Sequence, residues 1–471
     1  MKTFKYVIVI CLFIIYDVTI ASNKIDSASE LSLNDFLKIV QENHPLAKQA
    51  QLLIKQAQAY KLQAKGNFDP VLFMDYNSKE FNSLEYYSQQ QLGVKIPTYL
   101  GADFKVAFVN NQGYYQSPDE KTSESGVMQL GVSLPLLQGL MYDARRAALA
   151  HAKQMQSYNE AELKSILNKL YLKASKDYLE WMYAFYQYKF YFSGVKFAEE
   201  RYKGIIERIR LGDEASIDSV EALIEIQNRI INRDNSLIAL NNARGQVSFY
   251  LWTDSIPLDL PKNMIPPDLL SIKCNPLKDS LANYIDLLNS HPDMLKLSAK
   301  QKQSKIDYKL QKELLKPSLF VSGTYLSPNN NRLVNGPINQ NYKLGVDVHQ
   351  PLFFRKQIGK YQSAKYKVKE MDFELMSKMR ELQTNLSNSF LEFNTYFGLY
   401  KIYEQSLYSN LILRDAEENK FVNGESSLFI INTREQKLIE SQIKWVKIST
   451  EIVKSKLNFF YHAGDIFIEG I

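Results

Sequence analysis

The 471-residue chain is 45% hydrophobic and 23% charged, a balance that excludes a disordered chain and, at this length, a single small core. Its net charge of +6 is slight for the size and gives no ground for a nucleic-acid partner. Tyr (30) and Phe (25) are plentiful while Trp (3) is scarce, a usage suited to a boundary between water and an apolar medium.

Residues 1–21 read as a secretory signal. Lys2 and Lys5 form its basic start, Val7–Ile15 its apolar centre, and "TIAS" offers cleavage after Ala21. The apolar centre is too short to span a membrane, and Cys11 follows Ile10 rather than the small residue a lipid-anchor signal needs. Cleavage leaves Cys274 as the one cysteine, so no internal disulfide is expected. No later stretch reaches about 18 uninterrupted apolar residues, so no spanning helix is expected either. Three destinations stay open at this point: the periplasm, the exterior, or a β-barrel in the outer membrane.

Beyond the signal the chain is written twice. His44-Pro45 pairs with His291-Pro292, Pro70 with Pro317, and Leu72-Phe73 with Leu319-Phe320. Further on, "VSLPLLQG" (Val132–Gly139) echoes "VHQPLFFR" (Val348–Arg355), and Gly212 in "LGDEASID" aligns with Gly424 in "VNGESSLFI". The spacing between matches is 247 positions at first and 216 later, so the first copy carries roughly 31 additional residues between Pro70 and Pro135. The expected division is a first repeat over 22–256, a linker over 257–276 and a second repeat over 277–471. Each His-Pro pair is a non-helical joint followed by proline at the first helical position, with Asn43 and Ser290 as capping types. Metal binding at these histidines is not expected.

After the His-Pro helices the hydrophobic period becomes two. Leu92, Val94 and Ile96 alternate with polar or small residues, as do Phe104, Val106 and Phe108, then Leu130, Val132 and Leu134. Leu319, Val321 and Tyr325 follow the same rule in the second copy, with Leu344, Val346 and Val348. Strands that turn apolar residues one way and polar ones the other suit a transmembrane barrel with a wet lumen; a sandwich with one wet face is the alternative. Tyr87, Tyr99, Tyr114, Tyr115, Tyr325 and Tyr342 near strand ends would form its aromatic girdle. "SPDEKTSES" and "SPNNNRLVNGPINQN" would be its external loops. Two hairpins give four strands, and a third hairpin turning at Pro97–Gly101 would give six. Neither number closes a barrel alone, so closure is expected between chains, with twelve or eighteen strands in a trimer.

No proline occurs from Leu136 to Ile256 or after Leu352. These runs predict, in each copy, a helix of about 70 residues, a tight turn at Gly212 or Gly424, and a helix of about 38. The first would be roughly 105 Å long. Leu223, Ile226, Ile230, Leu237, Leu240, Val247 and Leu251 recur at coiled-coil spacing, with Arg233 and Arg244 in register. Leu438, Trp445, Ile448, Ile452 and Phe459 do so in the second copy, with Ser441 and Ser455 in register. The fold class expected is mixed: an oligomeric transmembrane β-barrel continuing into a long α-helical coiled-coil tunnel, built from two tandem repeats.

The duplication, the His-Pro helix starts, "LPLLQG" and "QPLFFRKQIG" before the long helices, and an approximate motif through Gly212, Ser216, Asp218 and Ala222 resemble the TolC family of outer-membrane efflux proteins over essentially the whole mature chain. The resemblance implies a homotrimeric channel-tunnel in outer-membrane lipid, projecting into the periplasm. It would be the exit duct of a tripartite efflux or type I secretion system, taking cargo from an inner-membrane pump through a periplasmic adaptor (membrane fusion protein). It implies no cofactor and no catalysis. The adaptor would meet the helical-hairpin tips, here Gly212, Asp213 and Ser216 with Gly424, Ser426 and Ser427. Family members narrow at an acidic periplasmic entrance in the second copy, but Ile430 and Thr433 stand at those positions here. Asp218 and Glu221 of the first copy, with Arg434, take the role of entrance charges instead. Solvated charges at a helix start are the plain reading of the same residues. A non-conducting periplasmic coiled-coil scaffold or adhesin is the rival from another class.

Enzymatic motifs are missing. The five histidines, His44, His151, His291, His349 and His462, form no metal-spaced pair, and no nucleophile elbow or phosphate loop occurs. The run "YLEWMYAFYQYKFYF" (Tyr178–Phe192) reads as helix packing, and basic "ARRAALAHAK" as facing either lipid head groups or the lumen.

Overall fold

A computed structural model describes residues 29–268, 276–277, 280–327, 334 and 337–465. The signal segment with Cys11, Cys274, and part of the "SPNNNRLVNGPINQN" loop lie outside the described residues. The chain forms two compact units: one from the described residues of Met1–Lys48, Lys169–Ser280 and Ser387–Ile471, the other from Gln49–Asn168 and Leu281–Leu386.

The first described helix, α1 (Leu33–Asn43), starts at Ser32, whose Oγ accepts the Asp35 amide at 3.1 Å. It buries Phe36, Leu37 and Val40. His44 then adopts an extended backbone (φ −65°, ψ 132°), as the following proline requires, and α2 runs Pro45–Gly66. The second His-Pro pair behaves alike, with a short helix α5 (Leu281–Leu287) and a 3-10 turn before α6 (Pro292–Glu313). Capping differs from the expectation. Asn43 is the last residue of α1, and Ser290 donates to the Leu287 carbonyl at 2.7 Å. The imidazoles cap instead: His44 Nδ1 accepts the Leu46 amide at 3.2 Å, and His291 Nδ1 accepts the Asp293 amide at 3.1 Å. An extended residue next to proline aims its ring nitrogen at the free amides of the new helix, so no further capping side chain is needed.

The strands are β1 (Val71–Phe81), β2 (Leu84–Pro97), β3 (Asp103–Gln112) and β4 (Val127–Pro135), then β7 (Ser318–Ser327) and β8 (Tyr342–His349); β5 (Trp252–Thr253) and β6 (Ile256–Pro257) form a separate small ribbon. The six longer strands make one antiparallel sheet in the order β1-β2-β3-β4-β7-β8. Asn82 and Ser83, with φ of 51° and 59°, form the two-residue turn whose twist matches a hairpin. The register sorts side chains by chemistry. Met74, Leu92 and Phe108 lie in one row, and Leu72, Val94, Val106, Leu130 and Tyr325 in another on the same face. Asp75, Gln91, Lys95, Lys105, Thr324 and Lys343 point to the opposite face. Leu72, Met74, Leu344, Val346 and Val348 are each at least 66% exposed in the single chain. Of the expected girdle, Tyr99, Tyr114, Tyr115 and Tyr342 are exposed while Tyr325 is buried at 9%.

The proline-free runs become α3 (Ala144–Leu211), α4 (Ser216–Ser248), α7 (Arg355–Val422) and α8 (Leu428–Ala463), of 68, 33, 68 and 36 residues. The buried seam of α4 agrees with the expected one at Ile226, Leu240 and Val247, with Leu251 just beyond the helix also buried. At three places the buried residue is the one before that expected: Ala222, Arg229 and Ser236 are buried, while Leu223 and Leu237 are exposed. A second apolar stripe on α4, through Val220, Ile224, Ile231 and Ile238, is exposed in the single chain. On α8 the seam follows Leu438, Ile448, Ile452 and Phe459, with Ser441 and Ser455 buried in register and Val446 inside rather than Trp445. The aromatic run of α3 is packing, with Tyr178, Trp181, Met182 and Tyr186 buried and the Tyr178 hydroxyl donating to the Leu31 carbonyl at 2.6 Å.

His44 is 3% exposed and lies against Phe249, Tyr250 and Trp252. Burial holds its imidazole below the ordinary histidine value. The neutral ring's contribution to the fold is therefore fully present above the unfolded value of about 6.5 and is lost as pH falls from there through the depressed folded value. His44→Asn retains a capping acceptor without the titration. It is expected to narrow the Tm difference between about pH 7.5 and about pH 5.5, as read by circular dichroism; an unchanged difference would contradict the assignment.

Candidate functional site

The two helical hairpins turn in the same way. At the first, Gly212 has φ +83°, its amide donates to the Ile209 carbonyl at 3.0 Å, and the Asp213 amide donates to Arg208 at 2.9 Å. At the second, Gly424 has φ +79°, with Gly424 to Phe421 at 3.1 Å and Glu425 to Lys420 at 2.8 Å. These paired bonds satisfy the last carbonyls of α3 and α7 and need a left-handed residue at the turn. A Cβ at either glycine would meet nothing within 4 Å. Backbone conformation, not crowding, therefore selects glycine.

Around these turns Asp213 and Ser427 are exposed, and Ser426 donates to Glu417 at 2.5 Å. Ser216 opens α4, where its carbonyl accepts the Ser219 hydroxyl at 2.6 Å. Asp218 accepts the Ala215 amide at 3.3 Å, so its carboxylate closes the start of α4 in the position where a helix dipole favours an anion. Glu221 is exposed and Arg434 half-buried. Among the described residues Arg434 makes no ion pair with Asp218 or Glu221, so the expected pairing does not form within one chain. Just inside the turns Ile205, Ala222 and Leu428 form a buried cluster with Tyr202, Ile209 and Phe421, which joins the two hairpins.

The charges that do join them are ones the sequence reading missed. Glu435 on α8 is held by Arg201 of α3 through both carboxylate oxygens, one at 2.8 Å, and by Arg229 of α4 at 2.9 Å. Arg229 also bonds Glu225 at 2.7 Å and the Gly194 carbonyl at 3.0 Å, and Arg201 reaches Asn432 at 3.1 Å. The Arg229 and Glu435 side chains are 5% and 8% exposed. Burial pushes the Glu435 carboxyl up, but the hydrogen bonds and charge of Arg201, then of Arg229, outweigh it and hold the group below the usual carboxylate value. A legible signal existed: Glu435 stands between Ile431 and Leu438 at seam spacing, where an isolated carboxylate could not be left unpaired. Arg434 is its helix neighbour and points elsewhere, because adjacent residues on a helix diverge.

The basic start of α3 faces neither alternative freely. Arg145 bonds Asp103 at 2.8 Å and Asp143 at 3.3 Å, while Arg146 bonds Asp143 at 3.1 Å and the Leu140 carbonyl at 3.0 Å. Among the described residues no three His, Cys, Asp or Glu side chains converge as metal ligands would, and no helix is long and apolar enough to cross a membrane.

This architecture has solved counterparts. The chain superposes on the Neisseria gonorrhoeae MtrE outer membrane channel, in its open state, with a TM-score of 0.67 and 13% identity over 93% of this chain and 90% of that one. The Campylobacter jejuni CmeC outer membrane channel gives 0.64 and 13% over 92% and 85%. The Vibrio cholerae outer membrane protein VceC gives 0.62 and 13% over 92% and 96%. The chain has the fold of these outer-membrane channels. No protein-family model and no curated protein matches it, so the likeness lies in backbone and element order, not in shared side chains.

The charge on Glu435 balances two guanidinium groups at once. Glu435→Gln leaves two guanidinium groups facing each other out of water, which is expected to cost about 3–5 kcal/mol. Denaturant unfolding of the purified variant checks this; a loss under about 1 kcal/mol, as for an exposed pair, would contradict it. The pair's contribution is fully present above the unfolded carboxyl value of about 4.3 and is lost as pH falls through the depressed folded value.

Proposed function

We propose that the chain is an outer-membrane efflux channel of the TolC kind, with a role in transport and no catalysis of its own. Three copies close one transmembrane β-barrel and one helical tunnel. The observation that carries this is the sheet. One face is apolar and exposed, the other polar, and among the described residues β1 and β8 leave its two edges unpaired in the single chain. In lipid such edges are satisfied only by a neighbouring strand, and a further copy supplies one. The exposed second stripe of α4 gives the helices a matching reason to assemble.

The channel is the passive exit of a tripartite system, with cargo delivered by an inner-membrane pump through a periplasmic adaptor. The recurrence of a 22-residue helix, strands, a 68-residue helix and a shorter helix is read as tandem duplication of one ancestral unit. The tips at Gly212, Asp213 and Ser216 and at Gly424, Ser426 and Ser427 are the adaptor contacts, where glycine and serine let a partner backbone approach. Asp218, Glu221 and Arg434 contribute the charges of the periplasmic entrance. A scaffold or adhesin would have no use for a sheet with one polar and one lipid-compatible face.

Planar-bilayer recording tests the channel. The purified protein is expected to conduct, and a Gly212→Val, Gly424→Val double variant is expected to conduct as well while failing to restore export in cells. Each valine costs about 1–2 kcal/mol in a left-handed position, which reshapes the tips without unfolding the chain. No conductance from the unaltered protein would overturn the channel, and normal export by the double variant would overturn the tips as the docking site.

A further inference from the structure

The additional residues of the first half form the β2–β3 hairpin. Pro70 and Leu72-Phe73 match Pro317 and Leu319-Phe320, which aligns β1 with β7, and Pro135 matches Pro351, which aligns β4 with β8. Among the described residues of the second half nothing corresponds to β2 and β3. We propose that this hairpin is a permanent part of the pore wall, so that each chain supplies six strands and three chains close an eighteen-stranded barrel. The proposal rests on the channel reading above.

Position is the first argument. The hairpin lies inside the sheet, not at its margin: among the described residues β1 pairs only with β2, and β4 meets the first half only through β3. Without the hairpin β1 has no partner among them. Its faces continue the wall, since Leu92, Ile96 and Phe104 join the apolar face while Gln91, Lys95 and Lys105 join the polar one. Leu92, Ile96 and Phe104 are exposed at 46%, 38% and 44%, as lipid-facing groups in a single chain would be.

Fit is the second argument. A Cβ on Gly93 would approach the Val106 carbonyl to 2.5 Å, the Ala107 Cβ to 2.7 Å and the Phe73 ring to 2.8 Å. Glycine in β2 and alanine in β3 thus make room for a ring from β1, and the Lys105 ammonium covers that ring at 5.0 Å. The hairpin's inner turn is fixed to the helix ends in the same way. Tyr99 stacks on Phe68, just beyond α2, at 4.1 Å, and Asp103 bridges Lys95 at 3.1 Å and Arg145 of α3 at 2.8 Å. A mobile flap or an external ornament would need none of these contacts. Four strands per chain would close twelve, six close eighteen, and barrel diameter grows roughly linearly with strand number. The mouth is therefore about 1.5-fold wider than the duplicated unit alone would make it, in the size class that keeps an aqueous channel.

Site-directed spin labelling tests the wall. In a Cys274→Ser background, Leu92→Cys, Phe104→Cys, Gln91→Cys and Lys105→Cys are labelled one at a time, assembled as trimers and placed in phosphatidylethanolamine–phosphatidylglycerol vesicles. Val346→Cys and Asp347→Cys on β8 serve as references. Oxygen, which partitions into lipid, is expected to relax the labels at 92 and 104 as strongly as at 346. A water-soluble nickel chelate is expected to relax those at 91 and 105 as strongly as at 347. If 346 and 347 alternate but all four hairpin labels respond to nickel alone, the hairpin is outside the wall and the proposal fails while the channel stands. If 346 and 347 do not alternate, the channel reading fails and takes the proposal with it.

Discussion

The proposed channel depends on one constraint: backbone amides and carbonyls cannot be left unpaired in hydrocarbon. A sheet with one apolar face suits lipid in every respect except its two edges, and here those edges are β1 and β8. In the proposed channel the apolar face meets lipid, and the two edges then call for a further copy. For such a channel oligomerisation is a requirement of the strand chemistry rather than an addition to it. The helices carry the same message in weaker form, because α4 has one stripe buried against its own chain and another left exposed.

Away from the sheet the chain handles charge differently. Near the hairpin turns a buried carboxylate, Glu435, joins three helices through Arg201 and Arg229. Such a cluster contributes less to net stability than apolar packing of the same volume. The Arg145–Asp103 pair likewise ties the start of α3 to β3. In both places an ion pair joins elements that are distant in sequence.

Much of this was legible in the sequence, for physical reasons. Proline-free runs marked the four long helices because proline cannot sit inside one, and Gly212 and Gly424 marked the turns because a left-handed residue was needed. Period-two alternation marked the strands because the pleat enforces it. What escaped depended on three-dimensional neighbours. The α4 seam was legible at Ile226, Leu240 and Val247, but Ala222, Arg229 and Ser236 are buried in place of the larger apolar residues that follow them. Glu435 was overlooked because its partners are 234 and 206 positions away in sequence. Histidine as a helix cap was not legible because Asn43 and Ser290, the usual capping types, stand beside it. The participation of the β2–β3 hairpin could be counted as a possibility from sequence, but only the register through Gly93 and Ala107 places it between β1 and β4.

The most direct measurement is disulfide formation between the two edges of the sheet. In a Cys274→Ser background, cysteine pairs are stepped along residues 72–78 of β1 and 344–349 of β8, and membranes are oxidised before denaturing electrophoresis. Closure between copies predicts a ladder ending at three chains, with cross-links recurring at every second position along the strand. Chains that remain single at every pair tested would contradict it.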